Sequence, residues 1–243
     1  MKRYLLENNA TNWQALTTLN WTLSTLKSTG RLTRAGEREP RPMYIRLRER
    51  TQRMRQSDCS YAPLFALASA TFTAQGYHSM PPPGELLQLA EAITATCKLA
   101  TTSNAYGLPP DYMDFSKFYG GPSAAALISK KKAATIRSLY GYNLNPYLAE
   151  AYFILYRVSG NELYRQYAWE LTRKIHQHCR EGQAFVGIFD LFDRDSKKID
   201  KQSALFLSAT LKYLYLINLD SSVFPLAKWV FTLGGHLFPV KVN

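Results

Sequence analysis

The chain has 243 residues, 46% of them hydrophobic, and sets 30 Lys+Arg against 18 Asp+Glu for a formal net charge of +12. That length suits one large domain or two small ones, and the composition supports a packed core and argues against disorder. No apolar run approaches the roughly 18 residues of a membrane-spanning helix, and the three cysteines, Cys59, Cys97 and Cys179, are too few for a disulfide scaffold and wrongly spaced for zinc.

The opening Met1-Lys2-Arg3-Tyr4-Leu5-Leu6 turns polar at Glu7-Asn8-Asn9, so the expectation is that no signal-peptide core follows the basic start. Leu5, Leu6, Trp13, Leu16, Leu19, Leu23 and Leu26 mark a helix to about Thr29, with Gly30 at the expected C-cap. Asn9-Ala10-Thr11 and Asn20-Trp21-Thr22 match the glycosylation acceptor pattern. Arginines at 31, 34, 38, 41, 46, 48, 50, 53 and 55 follow, offset only by Glu37, Glu39 and Glu49. Such a cluster can hold nucleic-acid phosphates, but only Tyr44 is interleaved with it and no nucleic-acid motif accompanies it. A solvated loop is the simpler reading. Met43–Leu47 within it reads as a short strand.

Tyr61–Gln75 is small and apolar, consistent with a buried helix. After the Pro81-Pro82-Pro83-Gly84 turn, Glu85–Leu99 reads as an amphipathic helix with Leu86, Leu89, Ile93 and Cys97 inward. Gly107-Leu108-Pro109-Pro110-Asp111 is a loop, and a polar connection runs to about Ser138, its Lys130-Lys131-Lys132 a solvated surface. Asn145 is placed to cap a helix with Pro146 in its first turn, Leu148, Tyr152 and Leu155 on its buried face, and Gly160 as its stop. Asn161 caps a second helix, Glu162 to about Cys179, with Leu163, Tyr167, Leu171 and Ile175 inside and Gly182 at its end. Ala184–Phe189 reads as a β-hairpin arm. Asp193–Asp200 alternates acids like a calcium loop but lacks its glycine and terminal glutamate, and is a turn. In Leu205–Leu216 the spacing of Leu207, Leu211, Leu214 and Tyr215 predicts one buried stripe, with Leu205, Phe206 and Leu216 outside it. Val230–Pro239 is strand-like or loop. Together these predict an all-α fold, a partial toroid of antiparallel helix pairs with short β-arms.

Tyr142-Asn143-Leu144-Asn145-Pro146-Tyr147-Leu148-Ala149-Glu150, Leu155–Asn161, Ala209–Leu216 and Pro225–Phe231 with His236, in this order, resemble the C-terminal half of the class I α-1,2-mannosidases, glycoside hydrolase family 47. Weaker matches are Tyr4-Leu5-Leu6, Cys97 at a family disulfide position, and Gly107–Asp111 against the family's Gly-Leu-x-Pro-Glu. The resemblance implies part of an (αα)7 barrel that trims mannose from N-glycans in the secretory pathway. It also implies an inverting mechanism using two carboxyl groups and a calcium ion holding sugar hydroxyls. By the same resemblance the partner of Cys97 falls at Ala62, three residues beyond Cys59. Three free thiols are therefore expected, with a slipped Cys59–Cys97 bridge as the alternative.

The departures fall on the chemistry. The family's Leu-Arg-Pro-Glu, which carries the catalytic base, is matched by Leu144-Asn145-Pro146-Tyr147. Tyr147, with an ordinary phenol pKa of about 10, cannot act as that base near neutrality. The family's Glu-Ser-Phe-Phe-Leu-Ala-Glu-Thr-Leu-Lys is matched by Ser203–Lys212 without either glutamate, and its calcium-ligating threonine by Leu233. The general-acid glutamate has no counterpart in this sequence. The resemblance therefore implies no cofactor, calcium included. Asp111, Glu150, Phe206 and His236 remain as remnant glycan-site positions. Glu150 also reads as a solvated helix residue, Phe206 as core packing, and His236 as a histidine bonded to a carbonyl.

Three functions follow from these residues. One is an inactive mannosidase relative that binds high-mannose glycan or glycoprotein. Another is a hydrolase completed by a second chain. The third, on the arginine cluster alone, is a nucleic-acid binder. A partial toroid cannot close, so the inward faces of the Tyr147 and Phe206 helices are expected to stay open to water and to drive self-association.

Overall fold

The computed structural model describes residues 53–76, 82–114 and 140–240. The helix expected before Thr29, both glycosylation patterns, the strand at Met43–Leu47, most of the arginine cluster and Lys130–Lys132 lie outside the described residues. The elements run β1 (Arg53–Arg55), a 3-10 turn (Gln56–Ser60), α1 (Tyr61–Gln75), α2 (Pro83–Thr102), β2 (Tyr112–Asp114), α3 (Tyr147–Ser159) and α4 (Glu162–Cys179). Then come β3 (Arg180–Glu181), β4 (Ala184–Phe185), β5 (Gly187–Ile188), β6 (Lys198–Ile199), a π-helical segment (Phe206–Leu211), α5 (Lys212–Leu216), β7 (Trp229–Val230) and β8 (Phe238–Pro239). Among the described residues the strands form only two-stranded antiparallel ribbons: β1 with β2, β3 with β4, β5 with β6 and β7 with β8. The architecture is helical, as expected.

The helix α3 is the axis. Leu148, Ala149, Ala151, Tyr152, Phe153, Ile154 and Leu155 are all buried, which requires neighbours on every side. They are the 3-10 turn, α1, α2, α4, the π segment and α5. Each large apolar side chain so buried contributes on the order of 2 kcal/mol. Gly160 ends the helix in the left-handed conformation, φ 68°, its N–H on Tyr156 O. Asn161 then caps α4, its Oδ1 accepting from Leu163 N at 3.0 Å.

Four details differ from the sequence reading. First, α3 begins at Tyr147 and its cap position is Pro146, with no side-chain cap bond; Asn145 spends its amide elsewhere. Second, the buried stripe of α4 is Tyr164, Ala168, Leu171, Ile175 and Cys179, while Leu163 is 41% exposed. Gly182 ends no helix but turns the β3–β4 hairpin at φ 60°. Third, α1 buries only one face: Ala62, Pro63, Ala66 and Ser69 are inside, Leu64 and Leu67 outside.

Fourth, in the Leu205–Leu216 stretch the structure buries Phe206, Ala209, Thr210, Tyr213, Leu214 and Leu216. Leu207, Leu211 and Tyr215 are exposed, Tyr215 by 66%. The sequence is apolar nearly all round, so periodicity alone leaves the inner face undetermined. Two contacts settle it: Phe206 packs on Phe185 with ring centroids 5.0 Å apart, and Thr210 Oγ1 donates to Leu144 O at 2.7 Å. The i→i+5 winding of the π segment carries this face onto α3. The Phe206 face expected to stay open is therefore closed, and the open apolar residues of this helix lie on its other side.

The cysteines also correct an expectation. Cys59 and Cys97 form a disulfide with Cα atoms 6.3 Å apart, and Cys179 is the free, buried cysteine. The 3-10 turn before α1 brings Cys59, rather than the residue at 62, against α2; Ala62 is itself a core residue at 0% exposure.

Candidate functional site

Two polar clusters hold Asp111 and Glu150, two of the four remnant positions that the sequence singled out. In the first, the loop before β2 meets the segment entering α3. Asp111 N donates to Gly141 O at 2.8 Å, and Tyr142 and Ile188 exchange backbone hydrogen bonds at 2.9 Å each way. Gly141 has to be glycine, because a Cβ there would lie 2.6 Å from Ile188 O. This close approach sets the Asp111 carboxylate among donors. Asn145 Nδ2 donates to Oδ1 at 2.7 Å, Asn143 Nδ2 donates to Oδ2, and Asn143 N reaches Oδ1 at 3.5 Å. Burial raises the Asp111 pKa, and the bonds from Asn143 and Asn145 only partly offset it.

Between Asn143 and Asn145 the chain passes through Leu144 at φ 60°, a left-handed backbone uncommon for a leucine. The surroundings hold it there: the side chain is fully buried and its carbonyl accepts from Thr210. The turn delivers Tyr147 to the first position of α3, partly buried against the core.

The second cluster lies one turn further along α3. The single proton of the Tyr213 hydroxyl is shared between Thr232 O at 2.9 Å and Glu150 Oε1 at 3.3 Å. Lys212 Nζ donates to Thr232 O and to Gly234 O, both at 2.5 Å, and Ser208 Oγ donates to Leu233 O at 2.9 Å. Burial raises the pKa of Glu150, opposed by Tyr213, by the charge of Lys212 and by Ser60. Burial lowers that of Lys212, opposed by Glu150. Tyr213 is pushed well up, by burial first and then by Glu150.

Of the four remnant positions, Asp111 and Glu150 sit in these two clusters, each satisfied by the protein's own donors. Phe206 is a core residue. His236 is exposed on the loop before β8 and has no hydrogen bond to the described residues. The sequence reading missed Asn143, Ser208, Lys212 and Tyr213. Lys212 carried a usable signal: a single cation inside Leu211-Lys212-Tyr213-Leu214 demands a partner once that helix is buried.

For calcium, which takes six to eight oxygen ligands, the donor set does not fit. Leu233 offers no side-chain oxygen, its carbonyl takes the Ser208 hydroxyl, and the carbonyls on either side face an ammonium. Among the described residues no three His, Cys, Asp or Glu side chains gather as a metal site.

Helices pairing around α3, short two-stranded arms, and a polar seam where α3 meets the π segment define a glycoside-hydrolase type of helical barrel, present in part. A family model described as glycosyl hydrolase family 47 matches residues 2–240, and the chain belongs to that family. It is 33% identical over 183 residues to the mannosyl-oligosaccharide alpha-1,2-mannosidase IA of Drosophila melanogaster, a match covering 75% of this chain and 25% of the relative. Against the human mannosyl-oligosaccharide 1,2-alpha-mannosidase IB it is 33% identical over 157 residues, covering 65% of this chain and 23% of the relative. The chain thus spans about a quarter of the length of these relatives. The structure resembles the alpha-1,2-mannosidase from Trichoderma reesei with a TM-score of 0.61 at 20% identity, covering 79% of this chain and 40% of that one. That likeness shows the fold, an α/α barrel of which this chain forms part. No described helix is long and apolar enough to cross a membrane.

Proposed function

We propose that this chain is a non-hydrolytic member of the mannosidase family, a single domain corresponding to the C-terminal half of the barrel, that binds mannose-bearing N-glycan or the glycoprotein carrying it. One observation carries the reading: both surviving acidic positions are turned onto internal donors. Asp111 is held by Asn143 and Asn145, and Glu150 by Tyr213. Inverting hydrolysis needs one carboxyl group to protonate the leaving oxygen and another to activate a water across the sugar. Tyr147 stands where the resemblance puts the base. Loss of a base costs about 10²- to 10⁴-fold, which argues against useful turnover at this site. The reading includes no calcium cofactor, a secretory-pathway setting where such glycans occur, and self-association through exposed apolar helix faces such as Leu207, Leu211 and Tyr215.

The test is incubation of the purified chain with a high-mannose oligosaccharide, with free mannose measured alongside binding by calorimetry. Binding with no mannose above the blank is expected. Release that Glu150→Gln abolishes would overturn the reading, and absence of any binding would remove its glycan half.

A further inference from the structure

The π segment and α5 turn three large apolar side chains away from the core: Leu207 is 59% exposed, Leu211 37% and Tyr215 66%. They stand four residues apart, so they form a stripe about 12 Å long. From Gln202 to Leu219 the only charged residue is Lys212, and its ammonium is bonded to the Thr232 and Gly234 carbonyls. The stripe is therefore an uncharged apolar face on a helix whose other side is packed on α3. On the other described helices, exposed large apolar side chains come singly or in pairs, as Leu64 and Leu67 on α1 or Leu163 and Trp169 on α4. A contiguous exposed apolar face marks an interaction surface.

The pattern of the stripe also selects its partner. Leu211 is the midpoint, with Leu207 four residues before it and Tyr215 four after. An antiparallel second copy sets Leu211 against its own mate on a two-fold axis. Each Leu207 then faces the Tyr215 opposite, so a smaller side chain meets a larger one at both ends. A parallel copy would set tyrosine against tyrosine and bring like-charged flanks together. The flanks favour the antiparallel arrangement: in the exposed lead-in Lys197, Lys198 and Lys201 outnumber Asp200, whereas Asp220 follows the helix. Hydrogen bonds from Ser222 hold the Asp220 carboxyl below the usual carboxylate range, so it is charged near neutrality. Antiparallel helix dipoles add to the same preference. We infer that the Leu207–Leu211–Tyr215 stripe is the seam of a two-fold homodimer, with the same helix of a second copy lying antiparallel across it. The inference rests on the self-association included in the proposed function and adds its occupant and register. One helix pair covers less than a standard interface, so a weak, micromolar dimer is expected.

The experiment is sedimentation of the full chain over a concentration series. Wild type should pass from monomer to dimer and no further. Leu211→Lys and Leu211→Glu should each stay monomeric at about tenfold above the wild-type dissociation constant, because the axis sets two like charges face to face. An equimolar mixture of the two should recover the dimer. Leu211 is partly packed in its own chain, so a second set uses the more exposed ends. Leu207→Cys and Tyr215→Cys should each resist crosslinking alone under mild oxidation and crosslink when mixed, whereas Leu211→Cys should crosslink to itself. A wild type that is monomeric throughout would overturn the inference and the self-association together, and would mean that another occupant, such as residues 1–52 of the same chain, covers the stripe. A dimer that survives both Leu211 charge variants, or Leu207→Cys crosslinked to itself, would keep self-association and sink this seam. Open-ended oligomers would sink the two-fold axis. Glycan binding and mannose release bear on the rest of the functional proposal and move none of these readouts.

Discussion

Reducing the Cys59–Cys97 bridge should be the largest single chemical perturbation available in this chain. The two cysteines are 38 residues apart in sequence and each is 1% exposed, one in the turn that starts α1 and the other late in α2. In the chain-entropy treatment a loop of that length restricts the unfolded ensemble by about 4 kcal/mol at 25 °C. At about 2–4 °C per kcal/mol for a chain of this size, that is a fall in melting temperature of about 8–16 °C. The clean measurement is a denaturant titration of the unreduced against the reduced wild type, with the Cys59→Ala/Cys97→Ala double variant as a redox-insensitive control. Thiol counting runs beside it. Cys179 is buried, and burial pushes its pKa up to about 12, so the native chain should show no reactive thiol. The unreduced, denatured chain should show one thiol, and the reduced one three. Three thiols before reduction, or a midpoint shift worth less than about 1 kcal/mol, would refute the argument.

Gly141→Ala should cost about 1–3 kcal/mol, because the new Cβ would sit 2.6 Å from a backbone oxygen that cannot swing away; a denaturation midpoint at the wild-type value would show that the β5 edge yields. Phe206→Ala should cost about 3–5 kcal/mol by urea denaturation, since the ring is fully buried against Phe185; a surface-like loss below about 0.5 kcal/mol would contradict the inward face assigned to the π segment. Asp111 has a folded pKa raised above its unfolded value, so its contribution is fully present below the ordinary carboxylate range and is lost as pH rises through the raised value. The stability of wild type relative to Asp111→Asn should accordingly fall as pH rises from about 4, measured by melting across pH. A gap that widens in favour of wild type would mean that the two amides outweigh burial.

Local rules carried the sequence a long way in α3 and α4. Glycine at 160 and asparagine at 161 mark a helix stop and a helix start through backbone freedom and a side-chain acceptor, and both act there as written. The inward residues of α2 (Leu86, Leu89, Ile93 and Cys97) were legible because that helix has polar residues on its other face. Leu205–Leu216 has almost none, so its inner face was settled by Phe185 and by the Leu144 carbonyl, neither of which is near in sequence. Asn145 is a fair cap by composition, yet Asp111, 34 residues away, offers its amide a charged acceptor. Cys59 looked out of register because the family resemblance places the partner of Cys97 at Ala62, whereas the 3-10 turn before α1 sets Cys59 against α2. Lys212 needed the fold most: the sequence shows one cation in an apolar run, and only the return of β7 and β8 brings it the two carbonyls that its half-buried ammonium bonds.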